Sequence, residues 1–309
     1  MRATAILGLG CSSRDLKPFQ ADKNSSKVEW LIGMPASGEE CDVILLFGGD
    51  GTVHRHLGPL VRLGLPVLVV PAGSGNDFAH SLGLRSMRDS LAAWSKFCGG
   101  AGDVRSIDLG IISAVENAGG APSTTAQGRS VPHGARYFCC VAGVGLDGEV
   151  TRRANRLPRW LRRHGGYLLT LAATIFTFSP LPMKVMSRAE GDGKLASWTT
   201  RSDSLSLIAA FANTPFCGGG MKIAPQAKME DGLLDVCIVG SVDRFRLLRL
   251  IPTVYSGKHL NVPEVQYFHT EVARVETEQP LDVYADGEYV CRTPVELALH
   301  RAAMKVITL

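Results

Sequence analysis

Two glycine-rich segments of the sequence have the composition of phosphate-binding loops. GGDGTVH at 48–54 follows the apolar run 42–47, and GSGND at 73–77 follows the apolar run 66–70. Glycines let backbone N–H groups approach an anion because no Cβ intervenes, and a following helix adds its positive end. One Gly-Gly pair is explained equally well by a tight turn, but two such loops favour a phosphate site. Its predicted cofactor-binding residues are Gly48, Gly49, Asp50, Gly51, Thr52, Val53, His54, Gly73, Ser74, Gly75, Asn76 and Asp77.

Carboxylates in three segments could take part in phosphoryl transfer, which needs positioning, charge neutralisation by a metal and a base near the acceptor hydroxyl. Asp50 lies inside the first glycine loop, Glu230, Asp231 and Asp235 lie in KMEDGLLDV at 228–236, and Glu288 lies in YADGEYV at 284–290. Asp-Gly pairs are common in plain β-turns, which remains the alternative for the last two segments. Asp77 could equally be a helix cap beside Asn76.

A basic segment follows residue 150, since no acidic residue occurs between 150 and 189. Its arginines alternate with leucines, a tryptophan and a tyrosine, which suits an anionic membrane surface. A solvated charged helix face is the alternative, and no nucleic-acid recognition motif accompanies these residues. The predicted contacts to phospholipid headgroups are Arg152, Arg153, Arg156, Arg159, Arg162 and Arg163.

The elements that must position these residues change in character along the chain. Short apolar runs alternating with helices at 53–63 and 86–98 predict parallel strands in an α/β layer, and both glycine loops should meet at its carboxyl edge. After residue 104 the pattern is mainly β, interrupted by helices near 150–178 and 243–257. We therefore predict an α/β domain at 1–104 and a β-rich domain at 105–309, with the last residues able to return to the first domain.

The overall composition is that of an ordinary globular protein. The chain has 309 residues, a net charge of +4 and eight cysteines without metal-binding spacing, which favours reduced thiols. No apolar run reaches the roughly 20 residues of a membrane span. These features predict a cytoplasmic protein with peripheral membrane association, and they leave a homodimer open.

The segments GGDGT and PAGSGNDFA together resemble the diacylglycerol kinase catalytic domain, in a superfamily that also holds sphingosine, ceramide and NAD kinases. YFCCVAGVGLDGEVTRRAN, FANTPFCGGGMKIAPQAKMEDGLLDVCIV and YADGEYVCRTPVELALH resemble bacterial YegS-like lipid kinases. The resemblance runs from about residue 40 to the end. It implies a Rossmann-like nucleotide-binding domain of the phosphofructokinase and NAD kinase type, an antiparallel β-sandwich domain, and an active site in the cleft between them.

The resemblance also implies roles for individual residues. Glu288 would accept the proton of the lipid hydroxyl, and Asp50 would join it in a network with Mg²⁺. Asp231 would bind Mg²⁺ with the backbone carbonyls of Lys228 and Leu233. ATP would be the phosphate donor and a diacylglycerol-like membrane lipid the acceptor.

The sequence departs from the family pattern in two places. The first strand lacks the usual Asn-Pro-x-Ser/Ala-Gly, and the layer before Gly48 is short. His54 and Arg55 replace the more usual Asn-Glu, and His54 is closer to sphingosine kinases. Three alternatives remain open: a sphingoid-lipid kinase, a nucleotide- or lipid-binding pseudokinase, and a soluble-substrate kinase of the NAD kinase type.

Overall fold

The first part of the computed structural model is a parallel sheet flanked by helices. The structure describes residues 1–115, 123–124, 130–131, 134–158, 166–188 and 197–309. The strands run in the order β2-β1-β3-β4, and every residue of β3 is buried. The elements are β1 Arg2–Leu7, α1 Ser13–Gln20, β2 Glu29–Ile32, β3 Val43–Gly48, α2 Asp50–Leu63, β4 Pro66–Pro71, α3 Asp77–Ser81 and α4 Met87–Cys98.

The second part is mainly antiparallel β-structure, as predicted. Among the described residues, three helices lie beside its sheet, and β12 and β13 extend the sheet from β11. The elements are β5 Asp103–Ala114, β6 Ser123–Thr124, β7 Ser130–Val131, β8 Arg136–Phe138, β9 Val141–Gly145, α5 Leu146–Asn155, α6 Gly166–Thr177, β10 Leu181–Arg188, β11 Thr199–Ala212, β12 Leu234–Gly240, α7 Arg244–Tyr255, β13 Val265–Thr270, β14 Val272–Thr277, β15 Asp282–Ala285, β16 Glu288–Arg292 and β17 Val295–Thr308.

The last strand joins the two parts into one continuous sheet. β17 pairs antiparallel with β5 and β14, and Lys305 and Val306 then pair with the start of β4 in the parallel sheet. The pairing of β17 with β5 shifts register between His300 and Met304, where Ala302 adopts a φ of +50°. The Ala302 N–H donates to the buried carboxylate of Asp108 at 2.7 Å. Asp108 therefore stabilises the bend through which the chain end reaches the first sheet.

The predicted fold class is confirmed, with one local correction. Helix α2 begins at Asp50, three residues before the predicted Val53, because Gly49 is extended and the glycine loop itself forms the first turn. Strands β10 and β11 pair antiparallel, and the residues between them, 189–196, lie outside the described residues. The domain boundary near residue 104 stays a prediction. No helix in the described part of the chain is long and apolar enough to cross a bilayer.

Candidate active site

The two glycine loops lie side by side at the carboxyl edge of the parallel sheet, as predicted. Gly48 at the end of β3 is paired with Pro71 at the end of β4, and the Ala72 N–H donates to the Gly48 carbonyl at 3.0 Å. A Cβ built on Gly49 would lie 2.8 Å from the Gly73 Cα. Two side chains could not pass each other at this distance, so the close approach of the loops requires these glycines.

The Asn76 side chain stabilises the second glycine loop. Asn76 has a φ of 59°, and its side chain forms two hydrogen bonds to the Gly73 backbone, accepting at 2.8 Å and donating at 2.9 Å. It forms no side-chain cap to α3. Asn76 thus occupies the predicted N-cap position without a side-chain cap, and the alternative that Asp77 is only a helix cap does not hold, because its oxygens accept from Gly219 and Gly220.

Asp50 connects the first loop to the second. Its Oδ1 accepts from the Phe78 N–H at 3.0 Å, so the carboxylate sits at the start of α3. Burial raises the pKa of Asp50, backbone hydrogen bonds from Phe78 and Asp77 partly oppose this, and the neighbouring Asp286 raises it further. Such a site favours a positive charge beside the carboxylate, whether from a proton or a cation.

Asp77 connects the glycine loops to the second part of the molecule. It is only 5% exposed, and its two oxygens accept from the N–H groups of Gly219 and Gly220 at 2.9 and 2.8 Å. Burial, followed by the Asp50 charge, raises the pKa of Asp77 to about 6. This carboxylate therefore links the two parts of the molecule at the wall of the cleft between them.

The raised pKa of Asp77 predicts a pH dependence of stability. The folded protein holds the proton to a higher pH than the usual 3.8, so stabilisation by the protonated form is complete below about 4 and is lost as the pH rises through about 6. We expect the free energy of unfolding to fall by roughly 2 to 3 kcal/mol more in the wild type than in Asp77→Asn over this window. Urea unfolding of both proteins at several pH values measures it, and parallel pH profiles would contradict the expectation.

Glu288 lies over the first turn of α2. Its Oε1 is 3.0 Å from the position that a Cβ on Gly51 would occupy. A side chain at position 51 would have to displace this carboxylate, which lies against the backbone of the first glycine loop. The structure thus brings together Glu288, Asp50 and the glycine loops, which are distant in sequence.

Asp286 organises this site, although the sequence pattern assigned no role to it. Its side chain is fully buried, and its oxygens accept from the Cys139 and Cys140 N–H groups at 2.8 Å each. His54, named above among the cofactor-binding residues, places its Nδ1 3.0 Å from Asp286, and its contact with a cofactor stays a prediction. Burial alone would lower the pKa of His54, but this hydrogen bond and the charge of Asp286 raise it overall. The ADGE turn and the glycine loop are thereby joined directly, two residues before Glu288.

Arg55 forms a hydrogen bond to the first glycine loop. Its Nε donates to the Gly51 carbonyl at 2.8 Å, within the first turn of α2, and the side chain is exposed. The guanidinium therefore lies at the rim of the same loop.

An open cleft of about 430 Å³ lies between the glycine loops and the second part of the molecule. Carboxylates line it from both parts: Asp50, Asp77, Asp147 and Asp286. It adjoins an apolar cavity of about 100 Å³ enclosed by α5, α6, α7, β11 and β12. Val141, Asp147 and Cys217 line both spaces, so an apolar chain in the cavity would place its polar end among the carboxylates.

The chain matches two family models that together cover most of its length. Residues 19–112 match the diacylglycerol kinase catalytic domain, and residues 140–308, more than half of the chain, match the YegS C-terminal NAD kinase beta sandwich-like domain. The chain belongs to the diacylglycerol kinase family. The predicted enzyme class, a lipid kinase, is confirmed with it.

Individual relatives agree with this assignment. A diacylglycerol kinase of Mycobacterium tuberculosis (strain ATCC 25618 / H37Rv) is 32% identical over 275 residues, covering 86% of this chain and 76% of the relative. A diacylglycerol kinase of Bacillus subtilis (strain 168) is 26% identical over 263 residues, covering 84% and 76%. A crystal structure of a diacylglycerol kinase from Bacillus anthracis str. Sterne superposes with a TM-score of 0.63 at 18% identity, covering 100% of this chain and 96% of that one. That likeness supports the fold.

The predicted metal ligands of this diacylglycerol kinase-family chain lie in a separate turn. Asp231 is exposed, and its Oδ1 accepts from the Leu233 N–H at 3.0 Å, which leaves the other oxygen for a cation. Backbone carbonyls, as predicted for Lys228 and Leu233, are further hard oxygen ligands, and Mg²⁺ usually keeps several waters. The donor chemistry therefore fits Mg²⁺, and these ligand roles stay a prediction.

A series of hydrogen bonds connects this turn to Asp286. Asp108 accepts from the Gly232 N–H at 2.9 Å, and its own N–H donates to the Met229 carbonyl at 2.7 Å. The Asn213 side chain donates to the carbonyls of Asp108 and Cys139, at 2.9 and 3.1 Å. Cys139 in turn donates to Asp286. Among the described residues no direct hydrogen bond joins Asp231 to Asp50 or Glu288, so any link through water and Mg²⁺ stays a prediction.

The basic segment of this family member is only partly described. Arg152 and Arg153 both pair with Glu149, at 2.7 and 2.6 Å, and Arg153 also donates to Thr177. Arg156 is exposed. Arg159, Arg162 and Arg163 lie outside the described residues. The predicted contact with anionic headgroups stays a prediction.

Proposed function

We propose that the chain is an ATP- and Mg²⁺-dependent kinase that phosphorylates the hydroxyl group of a diacylglycerol-like membrane lipid. One observation carries the proposal: a cleft with glycine loops and carboxylates on its wall opens into an apolar cavity, with Asp147 at the junction. The kinase names of the relatives point in the same direction.

The glycine loops are suited to the phosphates of ATP. At Gly49 and Gly73 no side chain covers the backbone of the loops. The N-terminal, positive end of helix α2 lies at the first loop. Ser74, which lines the cleft, adds a hydroxyl group, whereas the Thr52 side chain packs against Gly8 and Gly48. When bound, Mg²⁺ would neutralise negative charge on the phosphates, with Asp231 and the carbonyls of Lys228 and Leu233 as its protein ligands.

Glu288 is placed to accept the proton of the acceptor hydroxyl. It lies beside Gly51, so a hydroxyl held there would also face the phosphate loop. Asp286 holds the turn that carries Glu288, and His54 holds Asp286 from the side of α2. The fixed turn keeps the base in position without requiring it to move during the reaction.

The apolar cavity is suited to an acyl chain. Its walls include Leu171, Ile175, Leu207, Met221 and Ile251, and it ends near Asp147. A lipid lying there would present its hydroxyl to the cleft. A soluble dinucleotide has no acyl chain that could occupy this cavity.

Transfer of label from γ-labelled ATP tests the function directly. The protein is incubated with Mg²⁺ and, in separate reactions, with diacylglycerol, sphingosine or NAD. We expect label in diacylglycerol. Label in sphingosine instead would change the acceptor, label in NAD would overturn the lipid assignment, and no label in any acceptor would identify a binding protein without turnover.

Filling the apolar cavity should change chain-length preference. Ile251 lines the cavity on α7 and is half-buried, so Ile251→Trp should fold while reducing the space for an acyl chain. We expect kcat/KM to fall about tenfold for a long-chain lipid and to change little for a short-chain analogue. Leu205→Trp, at a half-exposed position outside the cavity, is the control. Equal losses on both lipids would contradict an acyl site here.

A further inference from the structure

Helices α6 and α7 expose a continuous apolar surface to solvent. Phe176 on α6 and Phe245 on α7 are 45% and 67% exposed, and their rings meet edge to face with centroids 6.2 Å apart. Leu169, 61% exposed, lies two helical turns before Phe176 on the same side of α6. We call Leu169, Phe176 and Phe245 the α6–α7 patch. Large apolar side chains that touch each other in solvent indicate a surface used for contact.

The charge around the α6–α7 patch is positive on balance. Helix α6 contains no charged residue, and α7 carries three arginines against one exposed carboxylate, Asp243, at its N-cap. Arg249 lies one turn from Phe245 on the same face of α7. Arg244, Arg246 and Arg249 are all exposed, and in the described part of the chain only Arg246 has an ion pair, with Glu264. An occupant of this surface should therefore be both apolar and anionic.

The same two helices form part of the wall of the apolar cavity. Leu171 and Ile175 line it from α6, and Leu247 and Val254 line it from α7. Although seven of its twelve residues are apolar, α7 has none that is fully buried. One side of this helix pair thus faces the cavity and the other carries the exposed aromatic rings. An acyl chain passing between the helices would move from the patch into the cavity.

We propose that the α6–α7 patch inserts into the surface of an anionic bilayer, so that the two helices that line the apolar cavity lie against the membrane. Amphipathic helices with aromatic and leucine side chains beside arginines bind at the headgroup boundary in this way. A second copy of the chain fits less well, because a symmetric contact through the patch would bring the arginines of both copies together. The passage of a lipid from the bilayer rests on the proposed function, whereas membrane binding itself does not.

Vesicle flotation of the full chain, without ATP, tests the proposal. The probes are phosphatidylcholine vesicles and vesicles of phosphatidylcholine mixed with phosphatidylglycerol. We expect the wild type to float with the anionic vesicles and Phe176→Ser/Phe245→Ser to bind them about 100-fold more weakly, given the apolar area removed. Arg244→Gln and Arg249→Gln should each weaken binding about fivefold, and only on anionic vesicles. Ile32→Ser, 64% exposed on β2, is the matched control and should bind normally.

Two further measurements keep the outcomes separate. Phe245→Trp should gain fluorescence that brominated lipids quench, since the ring would lie among the acyl chains. Unchanged flotation of the double serine variant, or no quenching of the added tryptophan, would overturn the proposal. Loss of a dimer in sedimentation velocity with unchanged vesicle binding would assign the patch to a protein contact instead. Because flotation needs no turnover, a failure of the kinase assay would leave this result interpretable.

Discussion

Glu288→Gln is expected to lower kcat for lipid phosphorylation by roughly 10²- to 10⁴-fold while the protein stays folded. Glutamine has the same shape, so its side chain can still lie beside Gly51, where the glutamate carboxylate approaches the backbone of the phosphate loop. It cannot accept the proton of the acceptor hydroxyl. We therefore expect the KM values for ATP and lipid to change little, because the loss falls on the proton transfer step.

The matched control for this variant is Glu278→Gln, an exposed glutamate in the loop after β14. Steady-state kinetics with labelled ATP and circular dichroism of both variants measure the effect. Glu288→Gln with wild-type turnover would remove Glu288 from the chemistry. A decrease in the free energy of unfolding as large as that of an Asp286 variant would assign Glu288 a structural role instead.

Asp50→Asn is expected to lower kcat/KM by at least about 100-fold, because the site would lose a buried negative charge that favours a cation beside the phosphates. The amide oxygen can still accept from the Phe78 N–H, so the contact between the two loops should persist. Burial raises the pKa of the wild-type carboxyl, so folding costs free energy when this group is ionised. The variant should accordingly be as stable as the wild type, or more stable, at pH 7.

This combination of lost activity and retained stability distinguishes a functional carboxylate from a structural one. Thermal unfolding and kinetics at several Mg²⁺ concentrations measure both, and Asp203→Asn on β11 is an exposed control. A loss of activity that high Mg²⁺ restores would indicate that Asp50 acts through the cation. Full activity in Asp50→Asn would exclude Asp50 from catalysis.

Much of the fold and part of the site could be predicted because the signals are local. Each buried strand of the first sheet is a short apolar run that ends in glycine or proline, and parallel strands bring their carboxyl ends to one edge. The contact between Gly49 and Gly73 follows from that rule alone. The start of α2 was predicted too late because glycines argue against a helix interior, although here they form its first turn.

The partners of the carboxylates could not be predicted, because they are distant in sequence. Asp77 contacts Gly219 across 142 residues, and His54 contacts Asp286 across 232. Asp-Gly at 286–287 is a common turn pair, so nothing local distinguishes the turn that holds Glu288. The sequence left a helix-capping role for Asp77 open, and only the tertiary structure shows its contacts with Gly219 and Gly220.

The sequence by itself determined the fold class, the family and the two glycine loops, since these depend on the order of apolar residues, glycines and motif residues along the chain. Only the tertiary structure decided which side chains surround the cleft and which face of each helix stays exposed. Asp286 became the centre of a hydrogen-bond network, and Phe176 met Phe245, because folding brought separate elements together. Local patterns specify elements, whereas the packing of elements from the whole chain creates the cavity, the cluster of carboxylates and the exposed patch.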